Sequence, residues 1–146
     1  MNRLVLSPAH LEQMIDHAAA CLPEEACGIL AGADGLVHAV LPVTNHLHSP
    51  VRFQMDFKEQ WRAFQWLEAQ HLEMLAFFHS HPNGPAHPSE TDLKEFYYPG
   101  VFSLILSPGV TGWQAGCFKL DNGKIETVDL IVQPTDGLID AAFPIN

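Results

Sequence analysis

Basic residues are scarce in this chain of 146 residues. Seven Lys and Arg stand against seventeen Asp and Glu, for a formal net charge of −10. A surface of that sign repels phosphate backbones, so nucleic acid is not the expected partner. Cysteine is scarce as well. Cys21, Cys27 and Cys117 form an odd set with no Cys-x-x-Cys pair, which predicts free thiols and excludes a disulfide framework or a structural zinc knuckle. No apolar run approaches the ~18 residues that a membrane-spanning helix needs. The segment from Met1 to Pro8 has too short an apolar stretch for a secretory signal. The expected compartment is therefore the cytoplasm, with no membrane partner. There is no internal repeat, low-complexity tract or linker.

What is present is a globular composition, 47% hydrophobic and 16% charged, at a length that suits one domain with one core. Leu11, Met14, Ile15, Ala18 and Ala19 recur at helical spacing and predict an amphipathic helix over 8–21, with Ser7 and Pro8 as cap and first turn. Residues 26–32 and 36–43 read as strands joined at Ala33-Asp34-Gly35. Residues 45–52 are loop-like, and a second helix is expected over about 56–72. On that helix Phe57, Trp61, Phe64 and Leu67 would form the core face, with Trp66 off the stripe and toward solvent. The apolar run 74–78 predicts a buried strand ending at His79. Residues 82–88, with three prolines and a glycine, predict a loop. A short helix over 89–96 follows, then a strand over 101–106 that turns at Ser107-Pro108-Gly109. Residues 112–120 and 124–132 complete a hairpin around Asp121-Asn122-Gly123. The mixture predicts an α/β fold, a sandwich with a central sheet flanked by helices.

Nine histidines are many for this length. Two of them fall in His79-Ser80-His81-Pro82, and seven residues later comes Ser89-Glu90-Thr91-Asp92. Side chains at i and i+2 of a strand share a face, so His79 and His81 present two imidazoles to one point. Asp92 would complete a three-ligand site of the catalytic zinc type, which keeps one position open for water. Each residue also has a plainer reading. His-Ser-His can be a polar strand end, and Ser89-x-x-Asp92 is also a helix capping box. Glu25, a candidate general base at the mouth of the first buried strand, can equally belong to a solvated Pro23-Glu24-Glu25 turn. A helix start can both cap and hold Asp92 rigid, so the two readings of Asp92 are compatible.

Taken jointly, these residues resemble the JAMM, or MPN-plus, metallopeptidase family, and in particular its short prokaryotic group. The signature is a Glu, then far downstream His-x-His-Pro, seven residues, and Ser-x-x-Asp. It is matched here by Glu25, His79-Ser80-His81-Pro82 and Ser89-Glu90-Thr91-Asp92, and Glu25-Ala26-Cys27-Gly28-Ile29-Leu30-Ala31-Gly32 looks like the family's first strand. The likeness runs from about Leu4 to Val132, which makes 1–132 the expected catalytic domain. The resemblance implies a single-domain JAMM-like, cytidine-deaminase-like sandwich. It also implies one Zn2+ per chain on His79, His81 and Asp92. Glu25 would take a proton from the zinc-held water as that water attacks the carbonyl, and would return it to the leaving amine. Ser89 would steady the oxyanion. The implied substrate is the amide or isopeptide bond after the Gly-Gly tail of a ubiquitin-like or sulfur-carrier protein. An extended tail of that kind would pair with a sheet edge beside the zinc.

Rival readings remain at this point. A non-catalytic MPN-type interaction scaffold predicts missing ligands or base, and this chain retains Glu25, His79, His81, Ser89 and Asp92. A DNA-repair-associated relative is disfavoured by the acidic charge and by serine at position 80. His46-x-His48 is a second i, i+2 pair, but it lies in a loop without an acidic or cysteine partner at ligand spacing. His87 reads as an exposed loop residue, and Cys27 as a buried strand thiol rather than a nucleophile. The segment 133–146, with Leu138, Ile139 and Phe143, is too apolar for a plain tail. It is expected to pack on the body or on a second copy, as in a homodimer.

Overall fold

Seven strands pair in the order β1-β3-β2-β4-β5-β6-β7 and close into a barrel in the computed structural model, which describes residues 2–134. In chain order the elements are β1 (Arg3–Leu6), α1 (Pro8–Cys21), β2 (Cys27–Ala33), β3 (Leu36–Val43), α2 (Phe57–Ala69), β4 (Glu73–Ser80), α3 (Glu90–Glu95), β5 (Phe102–Gly109), β6 (Gly112–Asp121) and β7 (Lys124–Val132). The fold is α/β with a mixed sheet, as the sequence predicts. The apolar segment 133–146 lies almost wholly outside the described residues.

Closure is what the sequence pattern does not foretell. The four residues of β1 are too few to show a period, yet Leu4 and Leu6 are fully buried. The strand runs parallel to β7, with Leu4 opposite Leu130, and touches β3 at Val5–Leu36. The expected turn at Ser107-Pro108-Gly109 is also displaced. Those residues continue β5 against β6 as far as Gly109 opposite Gly112, so the chain reverses at Val110 and Thr111.

Period-2 alternation divides the core. The inward face gathers side chains from every strand, including Leu4, Leu30, Phe78, Leu104 and Val128, around Met14 and Ala18 of α1. The outward face of β2 and β3, with Ile29, Ala31 and Leu41, packs under Ala63 and Leu67 of α2. A smaller cluster of Ile105, Phe118 and Leu120 lies under Leu93 and Phe96, beside α3. Gly28 is where the inward face comes closest to backbone. A Cβ there would collide with the Phe78 ring and approach the Leu41 carbonyl oxygen to 2.6 Å.

Both long helices begin as read, at different cost to the prediction. Ser7 caps α1, and Met14 and Ala18 are buried on it. Asp56 caps α2 by accepting the Glu59 N–H at 3.0 Å. The stripe on α2 is the expected one only at Phe64 and Leu67. Ala63 and Leu67 face the sheet, and Phe64 and Trp66 pack beside them. Phe57 and Trp61 are left 79% and 56% exposed. Large aromatics dominated the reading, whereas the close helix–sheet contact is made through a small residue, Ala63.

Candidate metal centre

β4 lies between antiparallel β2 and parallel β5, and the site forms where these strands end. His79 is opposite Cys27 on one side and Ile105 on the other. His81 lies one residue past the strand, but its N–H still donates to the Leu106 carbonyl at 2.8 Å, so the i, i+2 geometry survives. His79 Nε2 and His81 Nε2 are 3.1 Å apart. The Asp92 carboxylate spans them, with Oδ1 at 3.2 Å from His79 Nε2 and Oδ2 at 3.1 Å from His81 Nε2.

Glu25 joins this group. One carboxylate oxygen of Glu25 and one ring nitrogen each of His79 and His81 lie within 4.8 Å of one another. Glu25 is only 3% exposed, and its Oε1 is buried without a hydrogen-bond partner. The plain reading of Glu25 as a solvated turn residue is therefore wrong. Burial pushes its carboxyl up to about 8; Asp92 adds to the rise and His81 opposes it.

Two backbone hydrogen bonds of Glu25 hold it there, and neither was legible in the sequence. Its N–H donates to the Ser49 carbonyl at 2.8 Å. Its carbonyl accepts from Asn45 Nδ2 at 3.1 Å, and the same side-chain nitrogen donates to the Arg52 carbonyl at 3.0 Å. Asn45 Oδ1 in turn accepts the N–H groups of Leu47 and Gln54, both at 3.1 Å. The buried Asn45 is thus the knot that shapes the 45–55 loop and pins Glu25. On the next residue, the Ala26 N–H donates to Ser80 Oγ at 2.8 Å, across β2 and β4. Ser80, between the two histidines, faces away from them and ties the Glu25 segment to their strand. The available signal was a small polar residue inside the His-x-His pair, which alternation sends to the opposite side.

Ser89 and Asp92 form the expected cap, and that cap leaves the Asp92 carboxylate beside the two histidines. Ser89 Oγ accepts the Asp92 N–H at 3.1 Å, and Asp92 Oδ2 accepts the Ser89 N–H at 2.8 Å, a complete capping box. The same Oδ2 faces His81. Burial opposes ionisation of Asp92, but the proximity of His79 and His81 and the hydrogen bond from the Ser89 N–H outweigh it and hold the carboxyl well below its usual range. Burial lowers the His79 imidazole. For His81, burial pulls down but Asp92 and the Pro85 carbonyl more than compensate, and the net shift is upward.

The donor set fits a divalent metal. The Pro85 carbonyl can only accept, so His81 Nδ1, 2.8 Å away, carries the proton. Its Nε2 then points a lone pair at the Asp92 carboxylate and at His79 Nε2. Such a convergence needs a proton or a cation between the lone pairs, and orienting a histidine through its other nitrogen is how metal ligands are commonly held. Phe53 stacks on the His79 ring at 4.6 Å and fixes its plane. The loop 82–88 is itself laid on β6, where a Cβ on Gly116 would come within 2.8 Å of the Ala86 carbonyl oxygen.

The weaker candidates separate from the site. His48 adopts a positive φ of 49° and pairs with Glu24 at 2.9 Å, so His46 and His48 do not share a face. His87 is exposed, with its ring edge-on to Phe118. All three thiols are free; burial pushes Cys27 far up and Cys117 up to about 12, as inert core thiols require. Among the described residues, no helix is long and apolar enough to cross a membrane.

Comparison with known proteins bears on this geometry. A family profile described as prokaryotic homologs of the JAB domain matches residues 7–119. The chain belongs to that family. It is 31% identical to the Desampylase of Pyrococcus furiosus over 129 residues, covering 88% of this chain and 91% of the relative. It is 32% identical to the CysO-cysteine peptidase of Mycobacterium tuberculosis over 106 residues, 71% of this chain and 73% of the relative. Among solved structures it resembles a solution structure from Desulfitobacterium hafniense, with a TM-score of 0.83, 33% identity, and coverage of 90% of this chain and 94% of that one. This JAB-family chain is accordingly a peptidase of the JAMM metallopeptidase type. The non-catalytic scaffold loses its standing as a reading.

Proposed function

We propose that the chain is a zinc-dependent peptidase that cleaves the amide or isopeptide bond after the Gly-Gly tail of a ubiquitin-like or sulfur-carrier protein. The observation that carries it is the convergence of His79 Nε2, His81 Nε2 and the Asp92 carboxylate beside a buried, unpartnered Glu25 Oε1. His79, His81 and Asp92 hold one zinc per chain. Bound there, zinc supplies a Lewis acid that acidifies water and polarises a carbonyl.

The chain's own residues do the rest. Glu25 accepts the proton of the attacking water and delivers it to the departing amine. Burial raises its carboxyl and a bound cation would oppose that rise, a balance that suits a group that must act first as base and then as acid. Ser89 donates a hydrogen bond from its hydroxyl to the oxyanion, its oxygen being already engaged by the Asp92 N–H. The carrier substrate class is supported by the Desampylase and CysO-cysteine peptidase relatives. The expected setting is cytoplasmic, where such carriers act.

Two measurements test the reading together. Elemental analysis is expected to find about one zinc per chain in wild type and none in His79→Ala. Mass spectrometry of carrier conjugates incubated with the zinc-loaded protein is expected to show a new carrier terminus at Gly-Gly. Absence of zinc after supplementation, or intact conjugates with zinc bound, would sink it.

A further inference from the structure

An open groove of about 570 Å3 leads away from His79 and Asp92. It is lined by Phe53 and Met55 from the loop before α2, by Phe77 of β4, and by Phe96 and Tyr98 after α3. Around it stands a set of large side chains that the fold leaves in solvent. Phe57 is 79% exposed and Tyr97 77%, and Trp61, one turn along α2 from Phe57, is 56% exposed. Leu47 and Val51 of the neighbouring loop are exposed too. Scattered single aromatics need no explanation, but a cluster that is continuous with a reaction centre marks a contact surface.

We infer that this groove and its rim are the docking surface for the carrier protein, an inference that rests on the function proposed above. The groove takes the bulky tail residues that precede Gly-Gly, and Phe57, Trp61 and Tyr97 receive an apolar face of the carrier's folded body. Three observations favour this occupant. Two glycines have no side chains and cannot fill 570 Å3. Among the described strands the sheet is closed, and β4 already has β2 and β5 on its two sides, so the tail cannot pair with β4 itself. Side-chain contacts along the groove then supply affinity that pairing with β4 cannot. Finally, a leaving group that is a single amino acid is too small to reach the rim, and a leaving lysine comes from a different protein in each conjugate. Only the carrier is a constant partner for a built apolar surface.

The test compares two substrates, the intact Gly-Gly-tailed carriers of the host as conjugates and a six-residue peptide with the same tail and leaving group. Wild type and the triple variant Phe57→Gln, Trp61→Gln, Tyr97→Gln are assayed on both. The expected result is a rise of at least tenfold in KM for the intact carrier, against less than twofold for the peptide. Carrier affinity, titrated calorimetrically on a Glu25→Gln background so that nothing is cleaved, falls by the same factor. All three positions are exposed, and an unchanged Tm checks that the fold is intact. An unchanged carrier KM, or an equal effect on carrier and peptide, overturns the inference. So does conversion of a dimer to monomer by the triple variant, which gives the surface to a second copy. Tighter carrier binding after removal of 133–146 gives it to the chain's own tail, with the same consequence. If wild type neither binds nor cleaves any carrier, the proposed function itself falls.

Discussion

Two helices of this protein start with the same device and use it for different ends. At α1, Ser7 Oγ accepts the His10 N–H at 3.1 Å and His10 Nδ1 accepts the Ser7 N–H at 3.3 Å. At α3, Ser89 Oγ accepts the Asp92 N–H at 3.1 Å and Asp92 Oδ2 accepts the Ser89 N–H at 2.8 Å. The first box begins a helix of 14 residues that buries Met14 and Ala18 in the barrel. The second begins a helix of six residues with no buried member. So short a helix gains little from propensity or packing. Its reciprocal hydrogen bonds serve instead to aim one carboxylate at two imidazoles. A local motif reports how a backbone begins a helix; what lies opposite decides whether it serves stability or chemistry.

The comparison can be broken most severely at the third residue of the α3 box. Asp92→Asn retains an acceptor for the Ser89 N–H but removes the charge between His79 and His81. Zinc content and activity are both expected to be lost, with the far-ultraviolet circular dichroism unchanged. Retention of full zinc occupancy would show that Asp92 is only a cap.

Glu25→Gln comes next. It is expected to keep zinc bound and to lower kcat by ~10²–10⁴, the usual worth of general-base work. Wild-type turnover in this variant would refute the base assignment.

Ser89 sharpens the contrast. Ser89→Ala is expected to lower kcat by ~10²–10³, the cost of losing one oxyanion donor. Ser89→Gly separates donor from cap, because glycine costs a helix start only a few tenths of a kcal/mol (~0.3). A kcat loss equal to that of alanine assigns the effect to the hydroxyl, whereas recovery in the glycine variant assigns it to the cap.

The smallest expected effect on turnover is at the other box. Ser7→Ala is expected to cost ~1 kcal/mol of stability and to leave kcat unchanged, as measured by denaturant titration beside the peptidase assay. A kcat loss at Ser7 as large as that at Ser89 would erase the distinction drawn between the two helices.

Much of the site could be read before any coordinates, because its parts are close in sequence and each rests on a local rule. The i, i+2 pairing of His79 and His81 follows from strand geometry, and Ser89-x-x-Asp92 from helix-start geometry. Glu25 was harder. It lies more than fifty positions from His79, and its apparent place in a Pro-Glu-Glu turn gives no sign of burial. Its supports come from two distant segments, the loop carrying Asn45 and Ser49 and the strand end at Ser80, and hydrogen bonds between distant segments leave no period in a sequence. The α2 stripe held at Leu67 and failed at Phe57 and Trp61 for a related reason. Helical spacing marks which residues share a face, but not which face meets the sheet, and the small Ala63 settled that by allowing close approach.

Composition and pattern determined by themselves that this is an acidic α/β domain with free thiols, two amphipathic helices and a His-x-His strand end ahead of a capped short helix. Those properties depend on backbone periodicity and on neighbours within a few positions. Tertiary structure alone decided that the sheet closes through β1, that Asn45 and Ser80 hold Glu25 beside the histidines, and that Phe57, Trp61 and Tyr97 stand in solvent around a groove leading to them. Each of these depends on which distant segments meet, and that is fixed only when the whole chain minimises its exposed apolar surface and pairs its buried polar groups at once.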